Sequence, residues 1–554
     1  MLTSIILSIG IIIIIMLSMA GLSEITYQLF GKGKKLRLTI HSDDDFKKIL
    51  DIEGGDKLLN ILQNKEYHIP SGCGGNATCG TCKVKLLTDM GPYSPTEIPL
   101  FDCKAREETR KFLEEGKGDG YTRLSCQVRV DKDVDIYLPK STLQVKKYTA
   151  RVVKKIQLTS DKYEISLLPF QKFNFTPGQY IQIGLPEDYV EQHYKKHGKQ
   201  IRCFCNESGK DFIPYTPGID LYRAYSIAAE KKEIIKLITR TAPINPRVPI
   251  EDGGVPCLGP NCVKEYLQDE SIWNLWSGDR IRFTGPFGHF LLKKENHTAV
   301  FIAGGAGLAP ILALMEQWFS EGRFQPVGLT GRRRKDNVYF FLGERRFQDI
   351  PLLYILKWLY WQKENTGFRF IPVMSGAFRG DNPSELDDKD KECFTNASDE
   401  HKRNIVEQGL IDKNGEKWLG EGGFIGPLLT KHLKHDPDTT FYLCGPAPMT
   451  VTVIDAAANN LGIPKENVLF DDFTGTLTPS LDMIYQKLEI SNKIREQGLP
   501  HSDSIIEKIS NIMIMKLILR DKIDEAYEFL DKVREVLEKT ERKEDTLELL
   551  FKEY

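Results

Sequence analysis

Three cysteines on one short loop, Cys73, Cys79 and Cys82, with a fourth at Cys126, constrain this 554-residue chain more than any other feature. The spacing is C-x5-C-x2-C with a distant partner. Gly-Gly-Asn-Ala-Thr separates the first two, so the backbone can wrap closely around an inorganic core and aim amide N–H groups at its sulfides. Four thiolates complete a [2Fe–2S] cluster. Tetrahedral zinc is the alternative, but its sites usually carry two separated C-x2–4-C pairs rather than three ligands on one loop. Disulfides need an oxidising compartment and pairable geometry, which a crowded Gly-rich loop fits poorly. Eleven cysteines in the whole chain also suit a reducing compartment. The loop predicts a cluster, and a cluster moves single electrons.

Leu2 to Leu22 carries no charged side chain. It is long enough to cross a bilayer as a helix, and it lacks the basic n-region of a cleaved signal peptide. A transmembrane helix over residues 1–23 is expected. Lys32, Lys34 and Lys35 follow it, which places the N-terminus outside and the soluble body in the cytoplasm. Lys plus Arg (75) and Asp plus Glu (77) nearly balance, so no nucleic-acid partner is implied.

Residues 35–141 read as strand, helix and strand around the cysteine loop. Leu36, Leu38 and Ile40 alternate as a strand, Lys57 to Asn64 reads as a short helix, and Val128 to Leu138 supplies closing strands. Cys103 falls in a charged helical segment and is read as a free thiol. Residues 145–292 hold short strands between turns, the pattern of an antiparallel barrel or sandwich. Residues 297–474 alternate strands and helices, as in a parallel nucleotide-binding sheet. Strands are expected at Ala299–Ala303, Pro326–Leu329, Phe368–Met374 and Thr440–Cys444. Ser375 to Glu421 reads as a polar surface insertion with some helix. In the last segment, 476–554, Ile505, Ile509, Met513, Ala526, Phe529, Leu530, Val533 and Leu537 recur at helical spacing and predict a small helical hairpin. The C-x5-C-x2-C…C pattern of the first domain resembles that of a β-grasp ferredoxin, so the fold class expected is multidomain: one N-terminal transmembrane helix, a β-grasp ferredoxin, an antiparallel β-barrel, an α/β parallel sheet and a C-terminal helical extension.

Arg223-Ala-Tyr225-Ser226 resembles the R-x-Y-S motif of the ferredoxin–NADP⁺ reductase superfamily, whose barrel binds FAD. The resemblance implies that the Arg223 guanidinium meets the pyrophosphate. It also implies that the Tyr225 ring lies against the isoalloxazine and that the Ser226 hydroxyl sits near its N5 edge. Arg240 and Thr241 match the family's flavin-contacting strand. Gly285-Pro286-Phe287-Gly288 and Gly304-Gly305-Ala306-Gly307-x-x-Pro310 differ from the G-x-G-x-x-G fingerprint. They are similar to the family's own glycine turn, where backbone amides and a helix N-terminus face a nucleotide pyrophosphate. Cys444-Gly445-Pro446 resembles its C-G-P, with the thiol beside the nicotinamide as a positioning group rather than a nucleophile. Phe470-Asp-Asp-Phe473 resembles its closing acidic and aromatic residues. Phe473 would shield the flavin until nicotinamide displaces it; a plain core phenylalanine is the other reading.

The order of anchor, ferredoxin, FAD barrel and NAD sheet is similar to the F subunit of Na⁺-translocating NADH:quinone oxidoreductases over residues 1–474. That resemblance implies NADH oxidation at the cytoplasmic face of the cell inner membrane by a single-pass flavoprotein. Hydride would pass to FAD, and single electrons through [2Fe–2S] to membrane subunits that reduce ubiquinone and move Na⁺. The same modules also build the reductase components of multicomponent oxygenases. A partner-binding scaffold using the helical tail is the reading from another class.

Departures from the family are local. Cys203, Cys205, Cys257 and Cys262 lie in two inserted stretches, where they could share a metal or stand as independent thiols. The second insert interrupts the family's G-x-x-S motif. Arg332, Arg333 and Arg334 follow the strand expected at Pro326–Leu329, where a 2′-phosphate would bind, which leaves NADH against NADPH open.

Overall fold

The computed structural model describes residues 33–554 apart from 74, 76, 78, 102, 160–161, 185–221, 230–232, 241–276, 294–297, 322–336, 365–366, 377–385, 387, 397–398, 408, 473–476 and 519–522. The expected membrane span, the four insert cysteines, Thr241, Phe473, the strand expected at Pro326–Leu329 and Arg332 to Arg334 all lie outside the described residues. Among the described residues no helix is long and apolar enough to cross a membrane. Two compact units divide the chain, one ending at Val145 and the other beginning at Lys146.

The first unit is a mixed five-stranded sheet in the order β2-β1-β5-β3-β4. Its strands are β1 (Lys35–His41), β2 (Lys47–Glu53), β3 (Lys83–Leu86), β4 (Tyr121–Leu124) and β5 (Val134–Tyr137). Period-two alternation puts Leu36, Leu38 and Ile40 of β1 on one buried face. Helix α1 (Leu58–Asn64) turns Leu58, Leu59, Ile61 and Leu62 into the same core. Cys103 opens helix α2 (Cys103–Glu115). A buried ion pair fixes the stretch before α2: Arg123 donates to Glu97 at 2.6 Å, and Glu97 also accepts from the Leu124 amide at 3.0 Å.

The second unit joins two six-stranded sheets and a helical extension. The antiparallel sheet comprises β6 (Lys146–Gln157), β7 (Lys162–Pro169), β8 (Tyr180–Gly184), β9 (Tyr222–Ser226), β10 (Ile235–Arg240) and β11 (Arg280–Phe287). Its order is β10-β7-β6-β11-β8-β9. The two edges meet through an isolated bridge between Ile227 and Leu237 and a 2.7 Å bond from the Ala228 amide to the Lys236 carbonyl. The sheet therefore nearly closes into a barrel around Val152, Ile165, Leu167, Ile181, Phe283 and their neighbours.

The parallel sheet comprises β12 (Thr298–Gly304), β13 (Asn337–Glu344), β14 (Phe368–Met374), β15 (Glu421–Gly422), β16 (Thr439–Cys444) and β17 (Val468–Phe470). The order is β15-β14-β13-β12-β16-β17. Strand β12 pairs with β13 on one side and β16 on the other, and the residues that follow β13 are Arg345 and Arg346. Helix α3 (Leu308–Ser320) covers one face, and α4 (Leu352–Glu364) joins it there through Trp358. The 375–421 insertion is more than a surface loop. It forms α5 (Asp388–Asn396) and α6 (Asp399–Glu407) and sends Leu386, Phe394, Ile405, Ile411 and Trp418 into the core shared with β12 and β13.

On the opposite face lie α7 (Ile425–His432), α8 (Ala447–Asn459) and α9 (Leu477–Glu496). Helix α9 begins the C-terminal extension, upstream of the expected hairpin. Its Leu481 and Ile484 belong to the core formed by Val300, Ile302, Phe441 and Leu443 of the sheet. Tyr485 donates to the Ile463 carbonyl at 2.6 Å, and Lys465 pairs with Asp482 at 2.5 Å. The expected hairpin is present as α10 (Ser502–Ile518) and α11 (Ile523–Lys539), followed by α12 (Lys543–Glu553).

Candidate functional site

The cysteine loop comes first because its backbone explains its composition. Gly75 and Gly80 adopt φ of +90° and +64°, and Ala77 shares this left-handed region at +58°. Such values favour glycine and strain other residues. The coiled backbone brings Cys73, Cys79, Cys82 and Cys126 into the interior, each buried.

Their sulfurs are associated in two pairs. Cys79 hydrogen-bonds with Cys73, which raises the Cys79 thiol, with burial adding to the effect. Cys82 donates to Cys126, which raises Cys82 and lowers Cys126. The Cys73 amide points at the Cys79 sulfur from 3.3 Å, Thr81 Oγ1 lies 3.0 Å from that sulfur, and Gln127 Nε2 donates to the Cys126 sulfur at 3.6 Å. Among the described residues no three Cys, His, Asp or Glu side chains converge on a single metal-ion position. A [2Fe–2S] cluster does not need that: its two irons each take two thiolates, which is the pairing seen here. The donor set, the pairing and the amide aimed at sulfur all fit the cluster.

The second site lies in the other unit. A cavity of about 430 Å³ opens where the antiparallel sheet meets the carboxyl ends of the parallel strands, and this is one region of contact between them. Arg223, Tyr225 and Ser226 from β9 and Thr239 and Arg240 from β10 line one side, with Gly304 to Gly307 and Cys444 to Pro446 opposite. The position follows from topology. The chain runs outward from β12 to β15 on one side, then returns to β16 on the other, leaving a crevice at the carboxyl ends of β12 and β16.

Close backbone approach dictates the glycines here. A Cβ on Gly307 would stand 2.1 Å from the Cys444 carbonyl oxygen, so the turn after β12 packs directly on the end of β16. Gly305 has φ of +58°, and the Arg240 guanidinium lies 3.4 Å from where its Cβ would be. Helix α3 starts from this turn without a side-chain cap, presenting backbone N–H groups toward the crevice.

Ser226 and Cys444 sit at the meeting of the two sheets. Ser226 Oγ donates to Asp471 Oδ2 at 3.3 Å, across 245 residues of sequence. Burial raises the Asp471 carboxyl to about 7, and the neighbouring Asp472 carboxylate adds to the rise, against the Ser226 bond. Burial also pushes the Cys444 thiol well above its usual range, reinforced by Asp471 and Asp472, which favours the neutral thiol. Thr239, 3 % exposed, lines the cavity with a hydroxyl that has no hydrogen-bond partner among the described residues. A buried hydroxyl left this way is costly. The unpartnered Thr239, the glycine turn and the half-buried Arg223 and Tyr225 fit a flavin dinucleotide with a nicotinamide ring beside it.

Not every expected residue is in this wall. Gly285 and Pro286 lie in β11, and Pro310 is buried in the first turn of α3, outside the cavity lining. Sequence reasoning missed Thr239 and the Ser226–Asp471 contact. The acidic pair before Phe473 was the available signal for Asp471.

A family profile described as "2Fe-2S iron-sulfur cluster binding domain" matches residues 41–131. The F subunit of the Na(+)-translocating NADH-quinone reductase of Histophilus somni is 31 % identical over 461 residues, covering 81 % of this chain and 95 % of that protein. Its namesake in Haemophilus influenzae (strain 86-028NP) is 30 % identical over 460 residues, covering 81 % and 94 %. Among solved structures, an Amycolatopsis cytochrome P450 reductase matches with a TM-score of 0.46 at 19 % identity, covering 79 % of this chain and 98 % of that one. A ferredoxin reductase in carbazole 1,9a-dioxygenase matches with a TM-score of 0.44 at 19 % identity, covering 79 % and 99 %.

Proposed function

Because the chain belongs to the family of Na⁺-translocating NADH-quinone reductase F subunits, which are oxidoreductase components, we propose that it is the NADH-oxidising electron-input subunit of a membrane complex that reduces quinone and moves Na⁺. The observation that carries this reading is the cavity in which the R-x-Y-S strand and the C-G-P turn face one another. FAD supplies the step that connects two-electron NADH to one-electron carriers, since it accepts a pair and releases electrons singly. Arg223 holds the pyrophosphate, Tyr225 backs the ring system, and Ser226 presents its hydroxyl to the reacting edge. Gly304 to Gly307 and the start of α3 bind the NADH pyrophosphate. The Cys444 thiol and Pro446 position the nicotinamide. Cys73, Cys79, Cys82 and Cys126 hold the cluster that takes electrons onward. Residues 1–23 anchor the chain as a single span, and the soluble body faces the cytoplasm. The domain bounds proposed are 35–141 for the ferredoxin, 145–292 for the barrel, 297–474 for the NAD(H) sheet and 476–554 for the extension.

Titrating bound flavin against Arg223→Ala tests the flavin site. Losing charge-assisted bonds to phosphate costs about 2 kcal/mol, or roughly 30-fold in FAD affinity. Wild-type flavin retention at micromolar protein concentration would reject the assignment.

Asp471 gives a second expected result. Hydride departure leaves positive charge on the nicotinamide, and a carboxylate held at the meeting of the two sheets would stabilise it. The ionised form exists above the raised value of about 7. The limiting rate of flavin reduction by NADH is therefore expected to rise with pH through that region in the native protein and to be flat and low in Asp471→Asn. Stability runs the opposite way. A carboxyl raised in the folded state contributes fully below its unfolded value near 3.8, and that contribution is lost as pH rises through about 7. Stopped-flow flavin bleaching across roughly pH 5.5–8.5, a window spanning the raised value, checks the sign. An identical profile in the two proteins would remove Asp471 from the mechanism.

A further inference from the structure

Strand β7 turns two charged side chains away from its own barrel core. Ile165 and Leu167 face the barrel interior, while Lys162 and Glu164, on the opposite face, are buried against the parallel sheet. Lys162 is fully buried. Its Nζ lies 2.7 Å from Glu344 Oε1 and donates to the Asp349 carbonyl at 2.5 Å. Glu344 is the last residue of β13, at the carboxyl edge of the sheet that borders the crevice. Two residues along, the Glu164 carboxylate accepts from the Tyr354 hydroxyl in α4, whose ring stacks on Trp358 in the nucleotide-sheet core. The two sheets are thus tied at i and i+2 of one strand.

Glu344 also faces Arg240, the cavity-lining residue laid against Gly305. Lys162 from β7, Arg240 from β10 and Asp349 from the turn after β13 surround this carboxyl. Burial raises it to about 7 despite Lys162, so the carboxylate is held there at a cost. A buried ion pair is a weak adhesive, because apolar residues of similar size usually do as well or better. What it supplies is a fixed geometry between two separately folded sheets.

We propose that the buried Lys162–Glu344 pair is a positioning element for hydride transfer, setting the approach of the flavin-side sheet to the nucleotide sheet and holding Arg240 over the glycine turn. This rests on the reading of the cavity as a flavin and NADH site. Hydride transfer needs its two reacting atoms about 3–3.5 Å apart, and a displacement near 1 Å far from the chemistry can cost on the order of 100-fold. Glu344 and Lys162 touch neither reacting ring and act only through where the sheets stand.

The test compares Glu344→Gln with the double variant Lys162→Met/Glu344→Leu, which removes both charges of the pair together and so remains measurable should the single variant fold poorly. FAD content, thermal midpoint, apparent NADH Kd and limiting rate of flavin reduction are measured on the flavin-loaded full chain. The expected result is a double variant with native FAD content and thermal midpoint, an NADH Kd within roughly threefold, and a limiting rate reduced about 10- to 100-fold. A merely structural pair would give recovery of the rate together with the midpoint. A native limiting rate in the double variant therefore overturns the proposal. Failure of the native protein to bind FAD or to be bleached by NADH would instead overturn the reading of the cavity, before any variant is compared.

Discussion

Replacing Cys126 by alanine is expected to abolish the reduced-state EPR signal of the cluster while FAD stays bound. Cys126 is fully buried and associates with Cys82, while Cys73 associates with Cys79. On the pairing described, losing one sulfur would leave one iron with a single thiolate ligand. The effect is all or none in spectroscopy. The flavin-side cavity belongs to a different compact unit, so its visible absorbance should persist. NADH should still bleach the flavin, and transfer to one-electron acceptors beyond the cluster should stop. An unchanged signal would sink the assignment and make Cys103, at the start of α2, the next ligand to test.

Deleting residues 1–23 is expected to separate two activities completely. The truncated flavoprotein should reduce ferricyanide with NADH at the full-length rate, because no residue proposed for FAD, NADH or the cluster lies in the deleted stretch. Quinone reduction by the assembled membrane should fall to background. On the proposed reading the cluster docks within tunnelling reach of an embedded acceptor, and an apolar span over residues 1–23 would keep its local concentration there high. Assaying both acceptors on one preparation separates loss of anchoring from loss of folding. Native quinone reduction by the truncated form would favour a soluble acceptor, as in an oxygenase reductase.

The legible parts of this chain are those written in local sequence. The glycines of the cysteine loop, the alternation of Leu36, Leu38 and Ile40, and the apolar run Ala299 to Ala303 each state their structure within a few residues. R-x-Y-S and C-G-P are legible as motifs, and folding brings them to one cavity. The losses have physical reasons. The polar 375–421 insertion looks solvated because its core residues Leu386, Phe394, Ile405 and Trp418 are sparse and set among charges. Helix α9 is hard to read because a proline and a serine dilute its first turn, although Leu481 and Ile484 carry it into the sheet core. The Lys162–Glu344 and Ser226–Asp471 contacts span 182 and 245 residues, and no local pattern announces a pairing at that distance.

The joint between α9 and the parallel sheet has a bearing on how this protein comes apart. Leu481 and Ile484 share one apolar core with the central strands, and the Leu477 amide donates to Asp472 at 2.8 Å just beyond the end of β17. An appendage tied by a linker could melt, exchange its amides or be clipped away while the body stayed native. Here loss of α9 would strip apolar cover from strands β12 and β16, whose carboxyl ends form the crevice. The first helix of the tail and the nucleotide sheet are therefore expected to open as one cooperative block. A protease acting on the native state should meet them as a single foldon, and slow amide exchange should run from β16 into α9 without a step.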